Sequence, residues 1–239
     1  MFSRESDIPL DAFNKHFFQS VLYSRLISDG EERIHEGNQF RFFCFSDFFP
    51  SGPMPRGKKK NILISSPDKK LVGKIAKVLT EDSTLYLKDQ RLDIASVKSF
   101  GNFKVPDEFE TGSPIVLYQD NRKGEFFSIK DGGNLSFFME RIKENAVKKY
   151  KQFTGKDPLY INGPLFDGLV FKKEVSVKVD HRNGNFFIIG SLWKRLKINQ
   201  SRKIDYSFYN FLMDCGIGEK NSLGFGFLNP VRESVDSGK

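Results

Sequence analysis

Gly216-Ile217-Gly218-Glu219-Lys220-Asn221-Ser222-Leu223-Gly224-Phe225-Gly226-Phe227-Leu228 is the stretch on which the reading of this chain turns. Gly216, Gly218, Gly224 and Gly226 flank a polar centre of Lys220, Asn221 and Ser222. Glycine backbone reaches conformations closed to other residues and lets N–H groups come close to an anion, and a lysine adds charge. The plainer alternative is a helix C-cap at Gly216 followed by a hairpin. Two glycine motifs fail here. A nucleotide-hydrolase phosphate loop ends in Gly-Lys-Ser/Thr, and a dinucleotide fingerprint opens a helix, whereas this segment runs into Phe225-Gly226-Phe227-Leu228, a strand pattern. Gly224–Leu228 matches the centre of the RNA-recognition sheet motif, but Leu223 stands where Lys or Arg belongs and Pro230 where an aromatic belongs.

Upstream of the glycines, residues 202–214 read as a helix, and His181-Arg182-Asn183-Gly184 is a hairpin turn joining strands over 169–179 and 185–198. A long helix is predicted over 134–153, with strands near 114–118 and 125–129 before it. Residues 101–113, with Gly101, Pro106 and Gly112, read as a linker. The first half repeats the order. Its first helix, over 11–27 with Asp11 as N-cap, carries the apolar stripe Leu10–Phe13–Phe17–Val21, with Phe18, Leu22 and Leu26 beside it. Tyr23, His16 and Gln19 fall on another face, so Tyr23 is expected to be exposed. Residues 40–49 are too aromatic and short for anything but a strand. A Pro/Gly turn over 50–57, a strand over 60–65, a helix capped by Asp68 and running to about Thr80, and one or two strands over 84–100 complete the half. Mixed α+β order in each half gives the predicted fold class: two tandem ferredoxin-like (RRM-like) βαββαβ sandwiches with a C-terminal glycine-rich loop, spanning 1–105 and 113–239.

The chain has 239 residues, enough for two domains of about 100–120 each, each able to bury a core. Lys plus Arg number 38 against 30 Asp plus Glu, a formal net charge of +8. The charge is concentrated around Lys58, Lys59 and Lys60 and again over 172–203, which includes Lys194, Arg195 and Lys197. Two basic stretches near aromatics fit a surface that tracks phosphates, and the alternative is a pair of solvated faces. The 2 cysteines, Cys44 and Cys215, sit in apolar surroundings and read as buried small hydrophobes. No signal peptide or membrane-length apolar run is evident, so a cytoplasmic location is expected. No spaced cluster of His, Cys, Asp and Glu has metal-ligand geometry, so no cofactor is expected.

Segment 216–228 as a whole resembles the C-terminal glycine-rich loop of the repeat-associated CRISPR proteins, in particular the Cas6 family of endoribonucleases that process precursor CRISPR RNA. Phe17 to Tyr23, His35-Glu36 and Arg41–Phe45 resemble the family's first helix, catalytic histidine and second strand. Together these stretches cover about a quarter of the chain. The family's duplicated ferredoxin-like fold agrees with the two-sandwich reading. Only Met1-Phe2-Ser3-Arg4 precedes the acidic turn at Glu5–Asp7, so the first strand is short, truncated or differently placed.

The resemblance implies RNA cleavage without a metal: a ribose 2′-hydroxyl attacks the adjacent phosphate, leaving a cyclic phosphate and a 5′-hydroxyl. It makes His35 the catalytic histidine, with Tyr23 matching a catalytic tyrosine. Arg41 stands where some members carry lysine, and there it suits a charge clamp better than an acid. RNA contacts are expected at Gly216, Gly218, Lys220, Asn221, Gly224 and Gly226, at Lys58, Lys59 and Lys60, and at Lys194, Arg195 and Lys197. The implied partner is CRISPR repeat RNA, with a CRISPR effector complex and a homodimer left open. The alternatives are a binding-only member of the same fold and an interaction subunit of a larger complex.

Overall fold

In a computed structural model, residues 1, 7–9, 13–30, 40–87, 90–101, 104–181, 184–199, 201 and 203–231 are described. The first helix, α1 (Lys15–Ser28), starts where Asn14 accepts the amide of His16 at 2.9 Å. It buries Phe18, Leu22 and Leu26 together with Tyr23. Phe13, Phe17 and Val21 are only partly buried against that core. The inward face is therefore one residue around from the predicted stripe, and it takes in Tyr23, which is 8% exposed rather than displayed.

The aromatic run after α1 forms a strand only at β1 (Cys44–Phe45), paired antiparallel with β2 (Ile64–Ser65). A bridge between Phe49 and Asn61 extends the pairing. The chain start is held by a reciprocal pair: the Met1 ammonium donates to Lys60 O at 2.8 Å and Lys60 N donates to Met1 O at 2.9 Å. Asp68 caps α2 (Lys69–Glu81) through Lys70 N and Leu71 N, as its position predicts. The hairpin β3 (Thr84–Leu87) and β4 (Gln90–Asp93) follows.

The predicted linker holds a strand. β5 (Glu108–Thr111) lies in the middle of a four-stranded antiparallel sheet of order β10-β5-β9-β8. It pairs with β9 (Gly184–Lys197) on one side and β10 (Leu228–Pro230) on the other, and β8 (Gly168–His181) pairs with β9 at the edge. With α3 (Leu135–Thr154) and α4 (Tyr206–Cys215), this half runs strand, helix, two strands, helix, strand. The last strand lies beside the first, which is ferredoxin-like connectivity. The small hairpin β6 (Tyr118–Asp120) and β7 (Glu125–Phe126) is inserted before α3. Four residues that looked irregular, with Gly112 behind them, were hidden as a strand by their charges: Glu108 and Glu110 flank the single buried Phe109.

One buried cluster draws on residues from Ile8 to Leu92 and a second on residues from Val105 to Leu228. Phe42, from the first half of the chain, packs against the second cluster, with its ring 5.0 Å from Phe153 and 6.3 Å from Phe211. A small third cluster joins Val116, Val179, Ile188 and Phe225, and it sets the hairpin β8–β9 against the glycine-rich segment.

Candidate nucleic-acid interface

The glycine-rich segment leaves α4 at Gly216 and turns through a single 3-10 turn at Asn221–Leu223. Gly216, Gly218, Gly224 and Gly226 all have positive φ, between 71° and 83°. A side chain at Gly226 would run into the Ile217 carbonyl, and one at Gly224 into the Phe45 ring. All four glycines are buried. The loop's amides are used internally: Ile217 N donates to Gly226 O at 2.9 Å, Glu219 N to Val116 O at 2.8 Å, and Gly226 N to Pro114 O at 2.7 Å. Asn221 is turned inward, its amide donating to Ile217 O at 3.0 Å and Phe225 O at 2.9 Å. The burial of the four glycines and the inward turn of Asn221 depart from the expectation that they line an open anion cradle. The amides of Ile217, Glu219, Gly224 and Gly226 and the Asn221 side chain are used in shaping the loop.

Two lysines absent from the sequence reading hold that loop. Lys149, on α3, is 2% exposed. Its Nζ donates to Gly216 O at 2.6 Å, Gly218 O at 3.2 Å and Asn221 Oδ1 at 2.8 Å. Burial pulls its ammonium pKa down, and the nearby thiols of Cys215 and Cys44 and the Glu219 carboxylate act in the other direction. Three acceptors are what make a buried ammonium tolerable. Both thiols are buried and free. Burial pushes Cys44 up to about 12 and Cys215 up to about 11, so neither is a nucleophile near neutral pH.

Lys15 performs the same service from α1. Its ammonium donates to Gly224 O at 2.6 Å, pairs with Asp47, and lies 5.0 Å from the Phe225 ring centre. One turn later Gln19 donates to Ser222 O at 3.0 Å and lies 3.4 Å from both Ser222 Oγ and Tyr23 Oη. The first helix and the C-terminal loop therefore meet in a continuous hydrogen-bonded junction. The sequence signal for both lysines was available: each sits on its helix's apolar stripe, at the spacing of Lys15–Phe18–Leu22 and of Ile142–Ala146–Lys149.

The other expected residues distribute as follows. Tyr23 lies at the junction, packed edge-on against Phe43 at 6.0 Å. His35 lies outside the described residues. Arg41 is partly exposed and precedes β1 by three residues instead of opening it. Lys220 emerges from the loop over the stacked rings of Tyr118 and Phe126, its ammonium 5.3 and 5.9 Å from their centres. Lys58 and Lys59 are exposed just after the turn at 56–57. Lys60 is 3% exposed, with its ammonium on Pro50 O and 5.0 Å from the Phe13 ring centre, so it is a packing residue and not a surface cation. Lys194 is exposed, while Arg195 and Lys197 both pair with Glu108, at 3.0 and 3.4 Å. Among the described residues, no group of three or more His, Cys, Asp or Glu stands in a metal-holding arrangement, and no helix is long and apolar enough to cross a membrane.

Comparison with known proteins bears on what this junction does. Residues 97–230 match the family model described as CRISPR associated protein Cas6, C-terminal. The chain is 38% identical to the CRISPR-associated endoribonuclease Cas6 2 of Methanocaldococcus jannaschii, over 95% of this chain and 96% of that protein. Among solved structures, one titled CRISPR associated protein Cas6 superposes with a TM-score of 0.67 at 23% identity, over 97% of this chain and 96% of the other. Another, titled An RAMP protein binding different RNA substrates, gives a TM-score of 0.70 at 16% identity, over 95% and 94%. These superpositions show that the chain shares the mixed α/β fold of those structures, with which a tandem ferredoxin-like arrangement is consistent.

Proposed function

The chain belongs to the Cas6 family of CRISPR-associated proteins and is an endoribonuclease, and from that premise we propose that it binds CRISPR repeat RNA at the α1–loop junction and cuts precursor CRISPR RNA there without a metal. The observation that carries this reading is the junction itself, where Lys15, Gln19 and Tyr23 of α1 meet Ser222 and Gly224 of the glycine-rich segment. The scissile phosphate lies over this seam. The ribose 2′-oxygen attacks phosphorus, the bond to the 5′-oxygen breaks, and the products carry a cyclic phosphate and a 5′-hydroxyl. A base removes the 2′ proton and an acid returns one to the leaving oxygen. His35 fills one of these roles, and an imidazole titrates in the right range. Tyr23 orients the 2′-hydroxyl, and Arg41 offsets charge building on the phosphate. Lys220, Lys58, Lys59 and Lys194 supply backbone contacts, as do Arg195 and Lys197 to the extent that Glu108 releases them. The catalytic groups thus come from residues 1–105 and the loop from 113–239. Product transfer to a CRISPR effector complex, and a two-copy form, belong to the same reading.

The test is incubation of labelled repeat RNA with the protein in excess chelator, beside His35→Ala. The reading requires cleavage in chelator, cyclic-phosphate ends, and a rate at least about 100-fold lower in the variant. Cleavage that depends on added metal, or that ignores the substitution, would sink the mechanism. A binding-only protein is the second reading, favoured by the burial of Tyr23 at 8% exposure. Retention of repeat RNA with no product would select it.

A further inference from the structure

The hairpin β8–β9 projects two aromatic rings into solvent near its tip. Phe186 is 41% exposed and Phe187 is 59% exposed. Side chains alternate along a strand, so the two rings leave on opposite faces. The register pairs Val179 with Phe186 and Lys178 with Phe187. Val179 and the next residue along β9, Ile188, are both fully buried against Phe225 of the glycine-rich segment. Asn14, the cap of α1, donates to Lys178 O at 3.2 Å. Phe187 and Lys178 therefore share the face of the hairpin opposite to Phe186, Val179 and Ile188, turned away from the loop, while the backbone of Lys178 is tied to the helix that carries Lys15 and Gln19.

On a solvated strand face a phenylalanine is out of place, since that face is ordinarily polar. Here the residue directly across from it is a lysine, and cross-strand neighbours act as a unit. β8 is the edge of its sheet, and it also exposes Lys172 and Lys173. An exposed ring with a lysine directly across from it has the composition that holds an unpaired nucleotide: the base stacks on the ring and the flanking phosphate meets the ammonium. A lipid surface or an apolar peptide would call for a further apolar group across from Phe187, where instead Lys178 stands.

We infer that Phe187 and Lys178 form a nucleotide-stacking subsite on the face of the β8–β9 hairpin turned away from the glycine-rich loop, which takes one unpaired base of the bound RNA and its phosphate. The inference rests on the repeat-RNA reading above. Stacking of this kind is sequence-tolerant, so the subsite positions the strand more than it reads it.

The test uses repeat RNAs carrying 2-aminopurine, or an abasic site, at successive unpaired positions. With wild-type protein, binding quenches the fluorophore at one position, and the abasic substitution there weakens binding about 5- to 150-fold, the range of a single stacking contact. Phe187→Ala is expected to lose the same factor on intact RNA and nothing further on the abasic RNA. Phe187→Trp restores binding, and Lys178→Gln lowers its salt sensitivity. Circular dichroism confirms that the surface variants stay folded. Wild-type binding that is unchanged in Phe187→Ala overturns the subsite and leaves the function standing. If that variant instead sediments as a smaller species with RNA affinity intact, the face is assigned to a second copy of the chain. Failure of wild-type protein to bind repeat RNA overturns both.

Discussion

At the residue scale, most of the site's architecture depends on two buried ammoniums. Lys149 supplies the donor for three loop acceptors, so Lys149→Met leaves Gly216 O, Gly218 O and Asn221 Oδ1 without it. The expected loss is on the order of 3 kcal/mol, read as a melting-temperature drop of roughly 6–12 °C. Gly226→Ala should act on the same loop, because positive φ and the Ile217 carbonyl both oppose a methyl group there. Asp214 gives a pH signature. Burial raises its carboxyl from 3.8 to about 6. Below about 4 both folded and unfolded chains hold the proton and no penalty arises, and stability is lost as pH rises through about 6. Asp214→Asn should therefore melt above wild type near pH 7, with the gap closing toward pH 4, as followed by thermal scans across that range. Neither lysine was singled out from sequence, because a charged residue is ordinarily assigned to solvent. The periodicity that places each on an apolar stripe carried the information. Lys60 was misassigned for the same reason, since a run of three lysines does not reveal which one turns inward.

At the element scale, helices were legible and short strands were not. Asn134 and Asp68 cap α3 and α2 where a polar residue precedes an apolar stripe. Replacing Asp68 with Ala removes the acceptor of Lys70 N and Leu71 N, and about 1 kcal/mol of stability should go with it in denaturant unfolding. Activity should be unaffected, because α2 lies outside the junction. The hairpin β8–β9 announced itself by alternation around a turn signal. β5 did not: four residues with one buried aromatic offer too short a pattern to separate from a linker, and its place is decided by pairing with β9 and β10, contacts distant in sequence. The aromatic run 40–49 shows the opposite error. Its phenylalanines suggest one long strand, but the backbone pairs only at Cys44–Phe45 and again at Phe49, and Phe42 serves to pack the two halves together.

At the scale of the whole molecule, the proposed function rests on the two halves meeting. The glycine-rich loop belongs to the second half, yet its carbonyls are held by Lys15 and Gln19 from the first, and its shape by Lys149 behind it. Resemblance at the glycine segment made the family legible from sequence. The seam was not, because it is made by pairs more than 200 residues apart, Lys15 with Gly224 and Gln19 with Ser222. The net charge of +8 makes phosphate contact a large part of RNA affinity. Binding should therefore weaken steeply between low and physiological salt, with a log–log slope that reports the contacts made. The most direct measurement of the account is ultraviolet crosslinking of bound repeat RNA, with the attached peptides identified by mass spectrometry. Crosslinks are expected within α1, within residues 216–227 and at the tip of the β8–β9 hairpin. Crosslinks confined to the α2 face or to residues 155–165, with none at the seam, would contradict it.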